Sequence, residues 1–210
     1  MSQNILKNKS SQIDLSVYIK SFLLLMKPRV MSLVLFTAMV GLLVAPVTVS
    51  FTTASLSLLA VAIGSGAAGA LNMWYESDVD ALMSRTCLRP IPTGKIKREQ
   101  ALLFGIILSF ISIVMLYLSS NLISALLLAA TISFYFFIYT IWLKRKTAQN
   151  IVIGGAAGAL PPVIGWAVAM NNISLEPIVM FLIIFIWTPS HFWALSLYKF
   201  KDYEKAKIPM

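Results

Sequence analysis

Asn72, Glu76 and Asp80 follow one another at four-residue steps in the run NMWYESDVD, where a long uncharged apolar stretch ends. On a helix that spacing puts all three on one face, drifting only slightly per turn. One amide oxygen and two carboxylates on a shared face can hold a single ligand, and carboxylates beside lipid are costly enough to mark function. Asp78 lies about 200° around from Glu76, at about 100° per residue, and looks elsewhere. A second acidic pair, Asp202 and Glu204, follows the apolar run that includes WTPSHFWALSLYKF. Between the two acidic sites come Arg85 and Arg89 in SRTCLRPIPTG, then Lys144 and Arg145. Carboxylates alone point to a divalent cation. Carboxylates among several basic side chains point to a cation that arrives with phosphate. Mg²⁺ suits that description, because it takes one or two carboxylates and completes its octahedron with water and phosphate oxygens. Arginine supplies forked donors for the oxygens that remain.

The elements that carry these residues are set by the medium. With 59% hydrophobic residues, 12% charged residues and a mean hydropathy of +0.83, the chain cannot bury its apolar side chains in a soluble 210-residue domain. An all-α fold is expected, a polytopic transmembrane helix bundle. Six stretches are long enough to cross about 30 Å of hydrocarbon, at roughly 30 to 46, 52 to 75, 101 to 120, 122 to 143, 148 to 170 and 177 to 198. The first is the shortest, and Pro28 bends an entry segment that begins near Phe22 and lies in the interface. Residues 1–210 read as a single domain with a cytoplasmic tail over 1–21.

All 17 Lys and Arg fall before the first stretch or after the second, fourth and sixth. The turns near 47 to 51, 121 and 171 to 176 carry none. The positive-inside rule therefore puts the N-terminus and both acidic sites in the cytoplasm or its equivalent. An even number of crossings returns Asp202 to the side of Glu76 and Asp80. Most of the net charge of +9 serves topology and contact with the lipid bilayer's anionic head groups. Nucleic-acid binding is not expected, since the basic residues are divided among short loops instead of forming one face. Lys27 and Arg29 interrupt any signal-peptide core, so the N-terminal segment reads as retained. The one cysteine, Cys87, excludes an internal disulfide and a CxxC metal site.

Small residues organise the helix contacts. GSGAAGAL at 64 to 71 and GGAAGALPPVIG at 154 to 165 permit close helix approach, and the shared string GAAGAL reads as convergent packing in two antiparallel spans. The pair Pro161-Pro162 breaks or bends the fifth span. Beside an apolar bundle, the acidic and basic residues fit an amphipathic phosphorylated lipid, with diphosphate at the cytoplasmic mouth and the hydrocarbon tail between helices. The chemistry that follows is ionisation: metal and Arg stabilise the leaving diphosphate, and an allylic cation meets an electron-rich acceptor. Trp74, Tyr135, Tyr139 and Trp193 are candidates to shield that cation, though interface anchoring accounts for aromatics equally well.

The order of spans and the run NMWYESDVDALMSRTCLRPIPTG resemble the first signature of the UbiA-type intramembrane prenyltransferases. Within that family, YTIWLKRKTAQNIVIGGAAGALPPVIGW, WTPSHFWALSLYKFKDYEKAKIPM and LMKPRVMSLVLFTAMVGLL are similar to the protoheme IX farnesyltransferases, or heme O synthases. The resemblance runs from about Phe22 onward. It implies farnesyl transfer from farnesyl diphosphate to a vinyl group of heme B, with water completing the side chain of heme O. It also implies association with heme A synthase or a terminal oxidase assembly. Asn72, Glu76 and Asp80 match the first metal-diphosphate motif and Asp202 the acid that opens the second. Arg85, Arg89, Lys144 and Arg145 match its diphosphate contacts, and His191, the one histidine, becomes a candidate contact to heme.

Two departures stand out. Glu76 occupies a position where the family pattern has Asp, and its extra methylene moves the carboxylate outward. Lys207 stands where such enzymes commonly carry Gly, and the family builds its cavity from about nine spans, so a C-terminally truncated chain is expected. Two other classes remain open at this point: a UbiA-type enzyme acting on a quinone precursor or chlorin, and a membrane transporter module. Coupling acids in transporters sit near the midplane, whereas these sit at the rim.

Overall fold

The computed structural model describes residues 15–206 and 208–209. Lys7, Lys9, Lys207 and residues 1–14 of the expected tail lie outside them. Residues 15–21, also expected as tail, are helical instead. α1 (Leu15–Leu25) carries Tyr18 and Phe22, whose rings pack edge to face at 5.0 Å, and Phe22 meets Phe104 at 4.9 Å. α1 then bends by 48° into α2 (Pro28–Val44), with Pro28 at the first helical position, where its missing N–H costs nothing.

The remaining described elements are α3 (Phe51–Tyr75), α4 (Ser77–Leu82), α5 (Arg98–Ser119), α6 (Leu122–Ser133) with a π-helical continuation over Phe134–Leu143, α7 (Asn150–Ala159), α8 (Pro161–Met170) and α9 (Leu175–Lys205). Among the described residues five helical segments are long and apolar enough to cross a membrane, or six if α1 and α2 form one bent span. The protein is an integral, multi-pass membrane protein. Large apolar side chains such as Leu33, Phe110, Leu118 and Ile186 stand exposed on its outer faces, as a bundle solvated by lipid requires.

α3 packs along α5, α2 along α8 and α7 along α9. The α2–α8 crossing is close enough that a Cβ on Gly41 would lie 2.0 Å from the Pro162 carbonyl oxygen, and one on Gly165 would lie 1.9 Å from that of Ala38. The two copies of GAAGAL meet different partners: Gly66 and Gly69 face Met26 and Leu25, whereas Gly155 faces Thr188. Around Ala38, Leu42, Val61, Leu116, Leu128 and Ile164 the helices form one apolar core.

The loops sort into two ends. At one, Asn121 caps α6 by accepting from Ser124 N at 2.9 Å and donates to the Ala167 carbonyl at 2.8 Å, tying α6 to α8. At the other, the ends of α1, α3, α6 and α9 gather. The proline pair divides the fifth span at Leu160, as its chemistry dictates. α9 runs on past the sixth apolar stretch to Lys205, because Tyr203, Ala206 and Ile208 are buried against Val79 and Met83.

Candidate diphosphate and metal site

The helix bearing the first motif is not continuous. α3 stops at Tyr75 and α4 starts at Ser77, with Glu76 at the joint (φ −92°, ψ 9°). The Glu76 N–H still donates to the Asn72 carbonyl at 3.0 Å and the Asp80 N–H to that of Glu76 at 2.8 Å, so the four-residue register survives the joint. Asn72, Glu76 and Asp80 are buried to 2%, 3% and 2% exposure. Buried charges must be paired, and each of the three residues has a basic partner from a different part of the chain.

Lys144 Nζ lies 2.6 Å from Glu76. Arg89 Nη1 lies 2.7 Å from both oxygens of Asp80. That contact is built locally: Thr86 Oγ1 donates to the Asp80 carbonyl at 3.0 Å and folds the loop back so that Arg89 reaches its target. Lys27 donates from its ammonium to Asn72 Oδ1. The sequence assigned Lys27 only to topology. In the structure it sits at the α1–α2 bend in the left-handed conformation (φ 53°), and strain of this kind gathers where surrounding structure demands a particular side-chain direction.

Asp78 faces away from this set and pairs with Arg145, whose Nη2 lies 2.7 Å from it and whose guanidinium lies 5.1 Å from the Tyr75 ring centre. Partial burial works against the Asp78 carboxylate, yet the forked bonds from Arg145 outweigh it and hold its pKa below the usual aspartate value. Arg145, expected at diphosphate, thus stands half a turn outside the Asn72–Glu76–Asp80 face. Arg85 is exposed in the α4–α5 loop. Burial also works against the Lys144 ammonium, but the Tyr139 and Glu76 oxygens prevail and its pKa lies above the ordinary lysine value.

The second acidic site meets the first through Ser84, whose Oγ donates to Asp202 Oδ2 at 2.7 Å. Asn150, fully buried, donates to the Thr147 and Pro209 carbonyls and pins the chain beyond α9. Behind the site, Tyr135 and Tyr139 lie with ring centres 5.3 Å apart, and Tyr139 fills space that a Cβ on Gly154 would take, 2.2 Å from its ring. Trp74 instead borders an outward groove with Arg98, Leu102 and Leu103, and Trp193 is exposed on α9. His191 is exposed as well, stacked on Trp187 at 4.3 Å. The π-helix, Thr140 and Lys27 carried no signal in the sequence beyond the proximity of a proline to Lys27.

Among the described residues no three His, Cys, Asp or Glu side chains converge as a metal cluster. The donor set that does exist, one amide oxygen and two buried carboxylates with Asp202 approaching from α9, is made of hard oxygens. It fits Mg²⁺ bound through few protein ligands and through phosphate, and not a closed all-protein cage. The two carboxylates are matched by Lys144 and Arg89, with the Lys27 amine a further donor at Asn72.

A family model described as the UbiA prenyltransferase family matches residues 34–210. A protein named protoheme IX farnesyltransferase from Pelagibacter ubique is 66% identical over 211 residues, covering 100% of this chain and 69% of that protein. One named protoheme IX farnesyltransferase 2, from Mesorhizobium japonicum, is 61% identical, covering 90% of this chain and 60% of its own length. The chain therefore spans roughly two thirds of the length of such relatives. Among solved structures, a UbiA homolog from Archaeoglobus fulgidus bound to DMAPP and Mg²⁺ has the same fold, with a TM-score of 0.76 at 19% identity over 90% of this chain and 67% of that one. The same homolog bound to GPP and Mg²⁺ gives 0.75. The chain belongs to the UbiA prenyltransferase family.

Proposed function

We propose that this chain carries the diphosphate-binding half of a protoheme IX farnesyltransferase, which moves the farnesyl group of farnesyl diphosphate to a vinyl group of heme B and yields heme O. The observation that carries the proposal is the buried line Asn72–Glu76–Asp80, each member paired with a basic side chain, at the same bundle end as Asp202. The names of relatives that match 90 to 100% of the chain suggest the acceptor.

Asn72, Glu76, Asp80 and Asp202 would hold Mg²⁺, which when bound supplies charge to stabilise the departing diphosphate. Lys27 would turn from the Asn72 amide, Arg89 from Asp80 and Lys144 from Glu76 to the diphosphate oxygens, with Arg85 and Arg145 at the rim. As the farnesyl C1–O bond breaks, its electron pair leaves with the diphosphate. The vinyl group of heme B then attacks C1, and water captures the resulting cation beside the porphyrin and loses a proton to give the hydroxyethyl group. Tyr135 and Tyr139, with ring centres 5.3 Å apart near Lys144, would favour a developing cation through their faces. His191, on the outward face of α9, is the residue for a porphyrin contact.

The positive-inside pattern supports a cytoplasmic placement of this end, in the bacterial inner membrane on the proposed assignment. The proposed receiver of the product is heme A synthase or a terminal oxidase assembly. Membranes containing the full-length protein, given farnesyl diphosphate, Mg²⁺ and heme B, should form heme O detectable by mass spectrometry. Farnesylation of an aromatic acid acceptor, with none of heme B, would overturn the assignment.

A further inference from the structure

The π-helical stretch Phe134–Leu143 ends directly before Lys144 and Arg145, and one side chain within it reaches the first motif. Thr140 is fully buried, and its hydroxyl has two partners: it donates to the Tyr135 carbonyl at 2.9 Å and accepts from Asn72 Nδ2 at 3.2 Å. The Tyr135 carbonyl is five residues back, the spacing of a π-helix. A threonine in an α-helix would turn to the carbonyl four residues back. A hydroxyl has one proton to give. With that proton committed to Tyr135, Thr140 can only accept from Asn72, so the Asn72 amide must present its NH₂ to Thr140 and its Oδ1 to the opposite side, where Lys27 stands.

Two groups therefore hold the Asn72 amide in one orientation, but only one of them is durable. Lys27 is a flexible point charge that an anionic ligand attracts away from Oδ1. Thr140 is locked in a helix, shielded from water, and has no reason to move. We propose that Thr140 is a positioning residue: through the π register it fixes the flip state of Asn72 so that Oδ1 keeps facing the ligand after Lys27 has turned to the diphosphate. The local widening of the helix is then what aims the hydroxyl. This inference rests on the proposed Mg²⁺–diphosphate site for its consequence in binding, though the hydrogen bond itself does not depend on ligand.

Two measurements on the full-length protein in lipid nanodiscs test it. Mn²⁺ binding in the presence of farnesyl thiodiphosphate, followed by electron paramagnetic resonance, should weaken about tenfold in Thr140→Val, the lower end of the effect of removing an outer partner of a metal ligand. Thr140→Ser, which keeps the hydroxyl, should restore it. Equal affinity in wild type and Thr140→Val overturns the inference while leaving the site assignment standing. The second measurement needs no ligand: a thermal-unfolding cycle with Thr140→Val and Asn72→Ala should show that the loss from Thr140→Val shrinks once Asn72 is gone, the remainder being the bond to the Tyr135 carbonyl. Simple additivity of the two losses overturns the inference. Failure of the wild type to bind Mn²⁺ with the thiodiphosphate, alongside a coupled cycle, would sink the proposed function and leave the Thr140–Asn72 linkage intact.

Discussion

Ser84 Oγ donates a 2.7 Å hydrogen bond to Asp202 Oδ2, joining two helix ends that are 118 residues apart in the chain. The bond brings the second acidic site to the first. It lies on the surface, so its net worth is about 1 kcal/mol. Ser84→Ala should therefore lower kcat/KM for heme O formation by roughly fivefold. Asp202→Asn removes the charge itself and should cost at least about 100-fold, with the protein still inserting in membranes as judged by immunoblot. Equal losses for the two would show that the serine does more than hold the acid.

Two neighbouring aspartates should behave differently. Asp80 is buried on the shared face, while Asp78 is exposed and paired with Arg145. Asp80→Asn should reduce transfer by at least about 100-fold and Asp78→Asn by no more than about fivefold, since an exposed ion pair contributes about 0 to 1 kcal/mol. Radiolabelled farnesyl transfer, normalised to protein in the membrane, measures both. A silent Asp80→Asn would remove the first motif from the mechanism.

The pH response of Lys144 follows from its raised pKa. A lysine held above its ordinary value stays charged at any lower pH, and its favourable contribution is lost only as pH rises through the folded-state value, above about 10.5. Lys144→Gln should lower activity at every pH from 6 to 9 by a similar factor, leaving the shape of the profile unchanged. A wild-type decline centred near pH 8 that the variant abolishes would contradict the geometry of the Glu76–Lys144 pair.

Glycine substitutions should separate packing from propensity. A methyl on Gly165 would meet the Ala38 backbone at 1.9 Å, whereas one on Gly158 meets nothing within 4 Å. Overpacking costs about 1–3 kcal/mol, and more where the obstacle is backbone, so Gly165→Ala should lower the Tm of the purified protein or abolish its accumulation. Gly158→Ala should leave Tm unchanged or raise it, because alanine is favoured over glycine in helices by about 1 kcal/mol.

The spans were legible because hydropathy and loop charge act over twenty residues at a time, and lipid tolerates few alternatives. The proline pair was legible for the same reason that it breaks the helix: it has no N–H to give. The joint at Glu76 was not, since the four-residue hydrogen bonds persist across it and no glycine or proline marks it. Lys27 was hidden because a basic residue at a membrane rim already has a topological explanation. Thr140 was hidden because no glycine, proline or other local signal marks the π-helical stretch around it, where Tyr139 packs on Gly154 of α7. Arg145 looked equivalent to Lys144 in sequence, yet one step around the chain sends it to Asp78.

Because Glu76 is already paired with Lys144 and Asp80 with Arg89, the proposed site would favour a combined guest. A lone divalent cation approaching the carboxylates would meet an ammonium and a guanidinium already seated there, and a lone diphosphate approaching the bases would meet their acids. A guest that brings both charges at once would let each internal partner exchange its contact for an equivalent one, and on that assignment the prenyl donor would be told from free metal and free polyphosphate by carrying charge of both signs.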